Sequence, residues 1–233
     1  MTMTVACVNV PLSGDAADAS GVLRLAPAAG RVEIGPLGFA AGPDVPPPED
    51  PTIAPADHAL SYAVYAYPAA HHAFWSTVRA QARVTPREEP VPPASFDEHL
   101  ALDSLLESQL WVGDLLRFPD CTLAVSGPRL PDARFDTTLG FPHAGKMVAQ
   151  SRWCGFWLAV RVPGTIAAGD AFEVIPGPRA VGVVELFRDR LAKAQRSKVR
   201  STSTSFWSTT ASPALRSCTR TWCTAQGPLT MKI

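Results

Sequence analysis

The sequence has no apolar run approaching the roughly 20 residues that a bilayer-crossing helix needs, and Met1 to Cys7 holds no basic residue ahead of its brief apolar stretch. Those absences argue against a membrane span and a secretory leader. The five cysteines (Cys7, Cys121, Cys154, Cys218, Cys223) show no CxxC or CxxH spacing, which argues against a disulfide framework and a zinc site. A soluble, cytoplasmic protein with reduced thiols is the expectation. Nowhere is there a Gly-rich phosphate loop, a Ser-His-Asp arrangement or a metal-spaced His/Cys cluster.

Charge is scarce and unevenly placed. Residues 1–192 hold 14 Lys+Arg against 21 Asp+Glu, whereas residues 193–233 hold 7 Lys+Arg and no acid. An acidic body offers no basic face for a nucleic-acid backbone, so that partner is expected only if the tail supplied the grip, and its Lys and Arg are not clustered.

What is present is enough for one sizeable core: 233 residues, 46% of them hydrophobic. Twenty-three prolines and sixteen glycines favour short strands joined by turns over a helical bundle. Strands are expected at Val5–Val10, Arg31–Gly35, Leu60–Tyr67, Cys121–Val125 and Phe156–Val162, from β-branched richness or alternation, with a briefer alternation over Phe96–Leu106. Gly42–Ala56, with six prolines, and the proline-rich 85–93 read as loops. Pro68 suits the first turn of a helix through His71, Phe74, Trp75 and Val78, and Val181–Ala194 has helical spacing. Gly113-Asp114 and Gly169-Asp170 each precede an apolar run, like a turn launching a strand. From Ser197 onward 15 of 37 residues are Ser or Thr and no period emerges, so residues 1–196 read as the domain and 197–233 as a disordered tail or the product of a shifted reading frame.

The order of these phrases resembles the MOSC domain (molybdenum cofactor sulfurase C-terminal domain) family, in its bacterial YiiM-like branch. Ala63-Val-Tyr-Ala-Tyr-Pro68 with His71 and Ala73-Phe-Trp75 looks like that branch's tyrosine-rich strand and His-bearing helix. Ser126-Gly-Pro-Arg-Leu-Pro131 is similar to its Pro-Arg-x-Pro segment, and Cys154 to Asp170 to its closing strand and turn. The resemblance implies a mostly β, α+β fold with a β-barrel core and flanking helices. It also implies a molybdenum cofactor (molybdopterin), a family-level association with pyridoxal phosphate, and reduction of small N-hydroxylated substrates with electrons from a partner reductase.

The implied site comprises Arg129 on the cofactor's phosphate, Asp132 as catalytic group and metal ligand, and His58, His71, Glu98 and His99 around the cofactor. Each has a plainer reading. Arg129 could be an arginine in a proline-stiffened turn, Asp132 an ordinary turn residue, and a histidine on an apolar helix face is more often satisfied packing. Asp132 also stands where the family carries cysteine. A carboxylate cannot carry a sulfane sulfur, although it can ligate a high-valent, oxygen-loving metal. The family's His-Gly-Gly appears as His58-Ala59-Leu60 and its Gly-Glu-Asn as Asp97-Glu98-His99, so glycines are lost where a ligand would approach backbone. Two expectations follow: a cofactor-dependent oxidoreductase, or a non-catalytic binding or structural protein on the same fold.

Overall fold

The computed structural model describes residues 2–11, 25–39, 55–85, 89–132 and 134–210. Its first unit, Met1–Arg190, is built on strands. In chain order these are β1 (Met3–Pro11), β2 (Leu25–Pro27), β3 (Val32–Ile34), helix α1 (Pro55–Ser61), β4 (Val64–Pro68), a 3-10 turn (Ala69–His71), α2 (His72–Gln81) and β5 (Leu100–Asp103). There follow β6 (Leu115–Arg117), β7 (Thr122–Pro128), α3 (Arg134–Leu139), α4 (Ala144–Ser151), β8 (Phe156–Val162), β9 (Gly164–Ile166), β10 (Ala171–Ile175) and α5 (Val183–Thr210).

Seven strands close a barrel in the order β10-β6-β7-β8-β4-β5-β1, with β1 pairing back to β10. All pairs in this ring are antiparallel except β4 with β5, so the chain between those two must cross over, and α2 lies in that crossover. Register sets Val5 opposite Leu102, Ala66 opposite Leu100, Leu158 opposite both Val64 and Val125, and Leu116 opposite Leu123. Side chains two apart on a strand share a face, so these residues form one apolar ring that fills the barrel.

The other face of β4 and β8 presents Tyr65, Tyr67 and Trp157 to an outer layer with Trp75, Phe96, Phe135, Leu139 and Val148. Every residue of β4 is therefore buried from both sides. Buried aromatic polar atoms need partners, and Trp75 Nε1 donates to Tyr67 Oη at 2.8 Å while Tyr65 Oη donates to the Cys154 carbonyl at 2.9 Å.

The barrel with flanking helices matches the expected α+β fold. Both Gly-Asp turns launch strands, β6 and β10, with φ of 93° at Gly113 and 87° at Gly169. Two details differ. Leu60 and Ser61 belong to α1, not to the strand, because Pro55 is pre-organised for a first helical turn and that helix runs on to Ser61 before β4 begins at Val64. Helix α5 also continues through Ser197 to Thr210, since no Gly or Pro interrupts Ser197–Thr210. The second unit, Leu191–Ile233, holds that continuation. Residues 42–54 of the expected loop, 86–88 of the next, and 211–233 lie outside the described residues.

Candidate functional site

The Pro-Arg-x-Pro segment leaves the end of β7 and delivers Arg129 into the aromatic layer outside the barrel wall. Its guanidinium lies over the Tyr65 ring at 4.9 Å and over the Phe135 ring at 4.8 Å. Nη1 donates to the Phe96 carbonyl at 2.6 Å and Nη2 to Asp97 Oδ2 at 2.9 Å. Only 6% of the side chain is exposed, so burial is matched by hydrogen bonds and an ion pair.

Asp132 opens α3. Its Oδ1 accepts the Arg134 backbone N–H at 2.9 Å, and its Oδ2 accepts Arg134 Nε at 3.1 Å and Nη2 at 3.0 Å. Arg129 Nη2 stands 3.6 Å from the same oxygen. Among the described residues an ion-pair chain Asp97–Arg129–Asp132–Arg134 results.

Glu98 follows Asp97 and is fully buried. Its carboxylate accepts the backbone N–H of Ala94 at 3.0 Å and of Phe96 at 2.8 Å, which folds the 94–98 loop around it. Burial pushes its acid up to about 7, opposed by those N–H donors. His99 is buried too: its Nδ1 accepts the Tyr65 N–H at 3.0 Å, and burial together with the Arg129 charge lowers it to about 4. Neutral imidazole with its proton on Nε2 follows.

The remaining candidates sit elsewhere in the layer. His71 Nε2 shares a hydrogen bond with Glu107 Oε2 at 2.9 Å, and its ring stacks on Trp153 at 4.4 Å. Glu107 also accepts the Gly155 N–H at 2.9 Å. Gly155 has φ of 58°, and a Cβ there would lie 2.5 Å from Tyr65 Oη and 2.6 Å from the Ala66 carbonyl oxygen, so only glycine fits. His58, on α1, packs against the Tyr62 ring at 4.3 Å. The structure thus brings Arg129 and Asp132 into one ion-pair chain, sets Glu98 and His99 on the adjoining loop, and places His71 and His58 apart from it.

The sequence does not single out Arg134 and Glu107. Arg134 had a signal in its spacing, two residues after Asp132, but Glu107 reaches residues 36 and 48 positions away, which no local pattern reveals. His72 is a third: its Nε2 is buried without a hydrogen bond, 3.9 Å from Glu98 Oε1. It borders a cleft of about 450 Å³ lined by Ala73, Ser76, Glu89, Pro90 and Val91, and by none of the candidates.

Residues 48–173, a little over half of the chain, match the model of the MOSC domain family. The chain belongs to that family. Among MOSC relatives it is 28% identical over 122 residues to the uncharacterized protein YflK of Bacillus subtilis, covering 52% of each chain. It is 28% identical over 121 residues to protein YiiM of Escherichia coli, covering 51% of each. The chain therefore spans about half the length of the curated relatives it matches. The crystal structure of YiiM from Geobacillus stearothermophilus superposes with a TM-score of 0.58 at 21% identity, covering 78% of this chain and 80% of that one. That of YiiM from Escherichia coli gives 0.57 at 21% identity, covering 80% and 75%. These likenesses establish the MOSC barrel.

The MOSC family is associated with binding of a molybdenum cofactor. The residues present in this member do not fit such a group. Both oxygens of Asp132 are engaged by Arg134, and the two Nη groups of Arg129 are directed at Phe96 and Asp97. The described thiols, Cys7, Cys121 and Cys154, are all raised by burial, so none offers a ready thiolate. Among the described residues no three His, Cys, Asp or Glu side chains converge to hold an ion. No described helix is long and apolar enough to cross a membrane.

Proposed function

We propose that this chain is a YiiM-type MOSC protein that has kept the barrel but no longer ligates molybdenum through position 132, and acts as a non-catalytic binding or structural protein. One observation carries the reading: the Asp132 carboxylate is held at both oxygens by Arg134. A metal would have to displace that guanidinium, which competes as a charge-assisted chelate.

The test is metal content after expression in a host that makes the cofactor. Native protein is expected to be free of molybdenum and inactive toward N-hydroxylated compounds, and Asp132→Cys to gain both metal and activity. The second reading is the working oxidoreductase, with Arg129 on the cofactor phosphate, Asp132 facing the metal and a reductase as electron donor. It is favoured by the 37% exposure of the Asp132 side chain, which leaves the carboxylate within reach of a ligand. Stoichiometric molybdenum in the native protein, lost in Arg129→Ala, would establish it and overturn the first.

A further inference from the structure

We infer that His72 is a proton relay, carrying protons between the cleft beside α2 and the buried carboxyl group of Glu98. Two incomplete groups face each other there. His72 Nε2 is buried with no hydrogen bond and stands 3.9 Å from Glu98 Oε1, too far for one as the ring sits. Glu98 is fully buried, so water does not reach its oxygens directly. The His72 ring bridges the two environments: its side chain is 24% exposed and lines the cleft with Ser76 and Glu89, while Nε2 faces inward. It lies nearly parallel to the Phe96 ring at 5.5 Å and to the Tyr67 ring at 5.8 Å, an arrangement that favours movement in its own plane. A shift of about 1 Å in that plane brings Nε2 within bonding range of Oε1.

Imidazole suits the task because one nitrogen takes a proton while the other gives one up. A proton from water or a weak acid in the cleft adds to Nδ1, and the Nε2 proton passes to Glu98 Oε1. The ring is left neutral with its hydrogen on Nδ1, and the reverse steps return the proton. The other titratable and charged neighbours are engaged elsewhere. Asp97, on the same loop, pairs with Arg129, and His71, one residue before the relay, with Glu107. On β4, Tyr67 accepts the Trp75 N–H and Tyr65 donates to the Cys154 carbonyl; His99 accepts the Tyr65 N–H, and Cys7 on β1 lies 3.2 Å from Asn9 Oδ1. Burial lowers His72, with His71 acting in the same direction and Asp103 on β5 opposing, and burial raises Glu98 to about 7. Both groups therefore favour their uncharged forms, as a relay that returns to neutral requires. The 94–98 loop also holds Arg129 through Phe96 and Asp97, so the pH of the cleft sets the charge at the centre of that anchor.

The inference stands apart from the metal reading above, and its test follows protons. The full-length native chain, carrying 15N-labelled histidine and 13C-labelled glutamate, is titrated by NMR, with Glu98 assigned from the resonance lost in Glu98→Gln. His72 is expected to hold its hydrogen on Nδ1 below about pH 7, where Glu98 is protonated, and on Nε2 above it. Exchange of the Glu98 proton, read from line shape, is expected to slow about ten-fold or more in His72→Ala and to recover when free imidazole is added. A tautomer that stays fixed through the Glu98 titration would overturn the relay. Glu98 exchange at the native rate in folded His72→Ala would do the same, as would a slowing that imidazole does not relieve, which would mark a merely structural role. His72→Phe, which keeps a ring against Phe96 and Tyr67, replaces the alanine variant in the rate measurement should that chain fail to fold, and the tautomer measurement needs no variant.

Discussion

At the scale of single residues, Glu98 and His99 are neighbours shifted in opposite directions by the same burial. An acid raised from 4.5 to about 7 holds its proton longer in the folded state, so its contribution to stability falls as pH rises from about 4.5 to about 7. A histidine lowered from 6.5 to about 4 does the opposite: its contribution is full above about 6.5 and is lost as pH falls toward about 4. Between about 4.5 and 6.5 the two slopes oppose each other, each shift being worth roughly 3 kcal/mol. Glu98→Gln should unmask the histidine, giving stability that rises from pH 4 to 6.5 by denaturant titration; a profile with the native slope would contradict this. Little of this pairing is legible in the sequence. Glu98 and His99 stand out there by position in a motif, but what fixes them is the Tyr65 N–H, the Ala94 and Phe96 N–H groups and Arg129, of which Tyr65 and Arg129 arrive from distant chain.

At the scale of elements, legibility follows how local the cause is. The Gly113-Asp114 and Gly169-Asp170 turns are readable because positive φ and the Asp side chain act within a few residues, and β8 is readable from its apolar run. Helix α1 is not, since its proline-rich approach looks like loop and its last residues merge into the tyrosine-rich strand. The junction before β8 gives a direct test. Gly155→Ala adds a methyl 2.5 Å from Tyr65 Oη at a φ of 58°, so a destabilisation of about 2–4 kcal/mol is expected, read as a lower Tm. Trp75→Phe, which removes the donor to Tyr67 and part of the buried ring, should cost about 1–3 kcal/mol by the same measurement.

At the scale of the whole molecule, the first strand pairs with the last of the ring, and the native barrel cannot close until both are in place. A chain that lacks residues 1–11, and with them all of β1, is therefore expected not to fold. One ending at Arg190 keeps the complete first unit, with the buried Val183 and Phe187 of α5, and should retain strand signal by circular dichroism and a Tm within a few degrees of the full chain. Collapse of that shorter chain would show that the second unit is needed for folding. The solid apolar ring has an implication for how such a scaffold acquires a task. With buried apolar side chains facing inward among the described residues, the outer face and the rim are the surfaces on which a guest can be received. New specificity can then be written by changing one crossover or one turn, while the cask itself is left untouched.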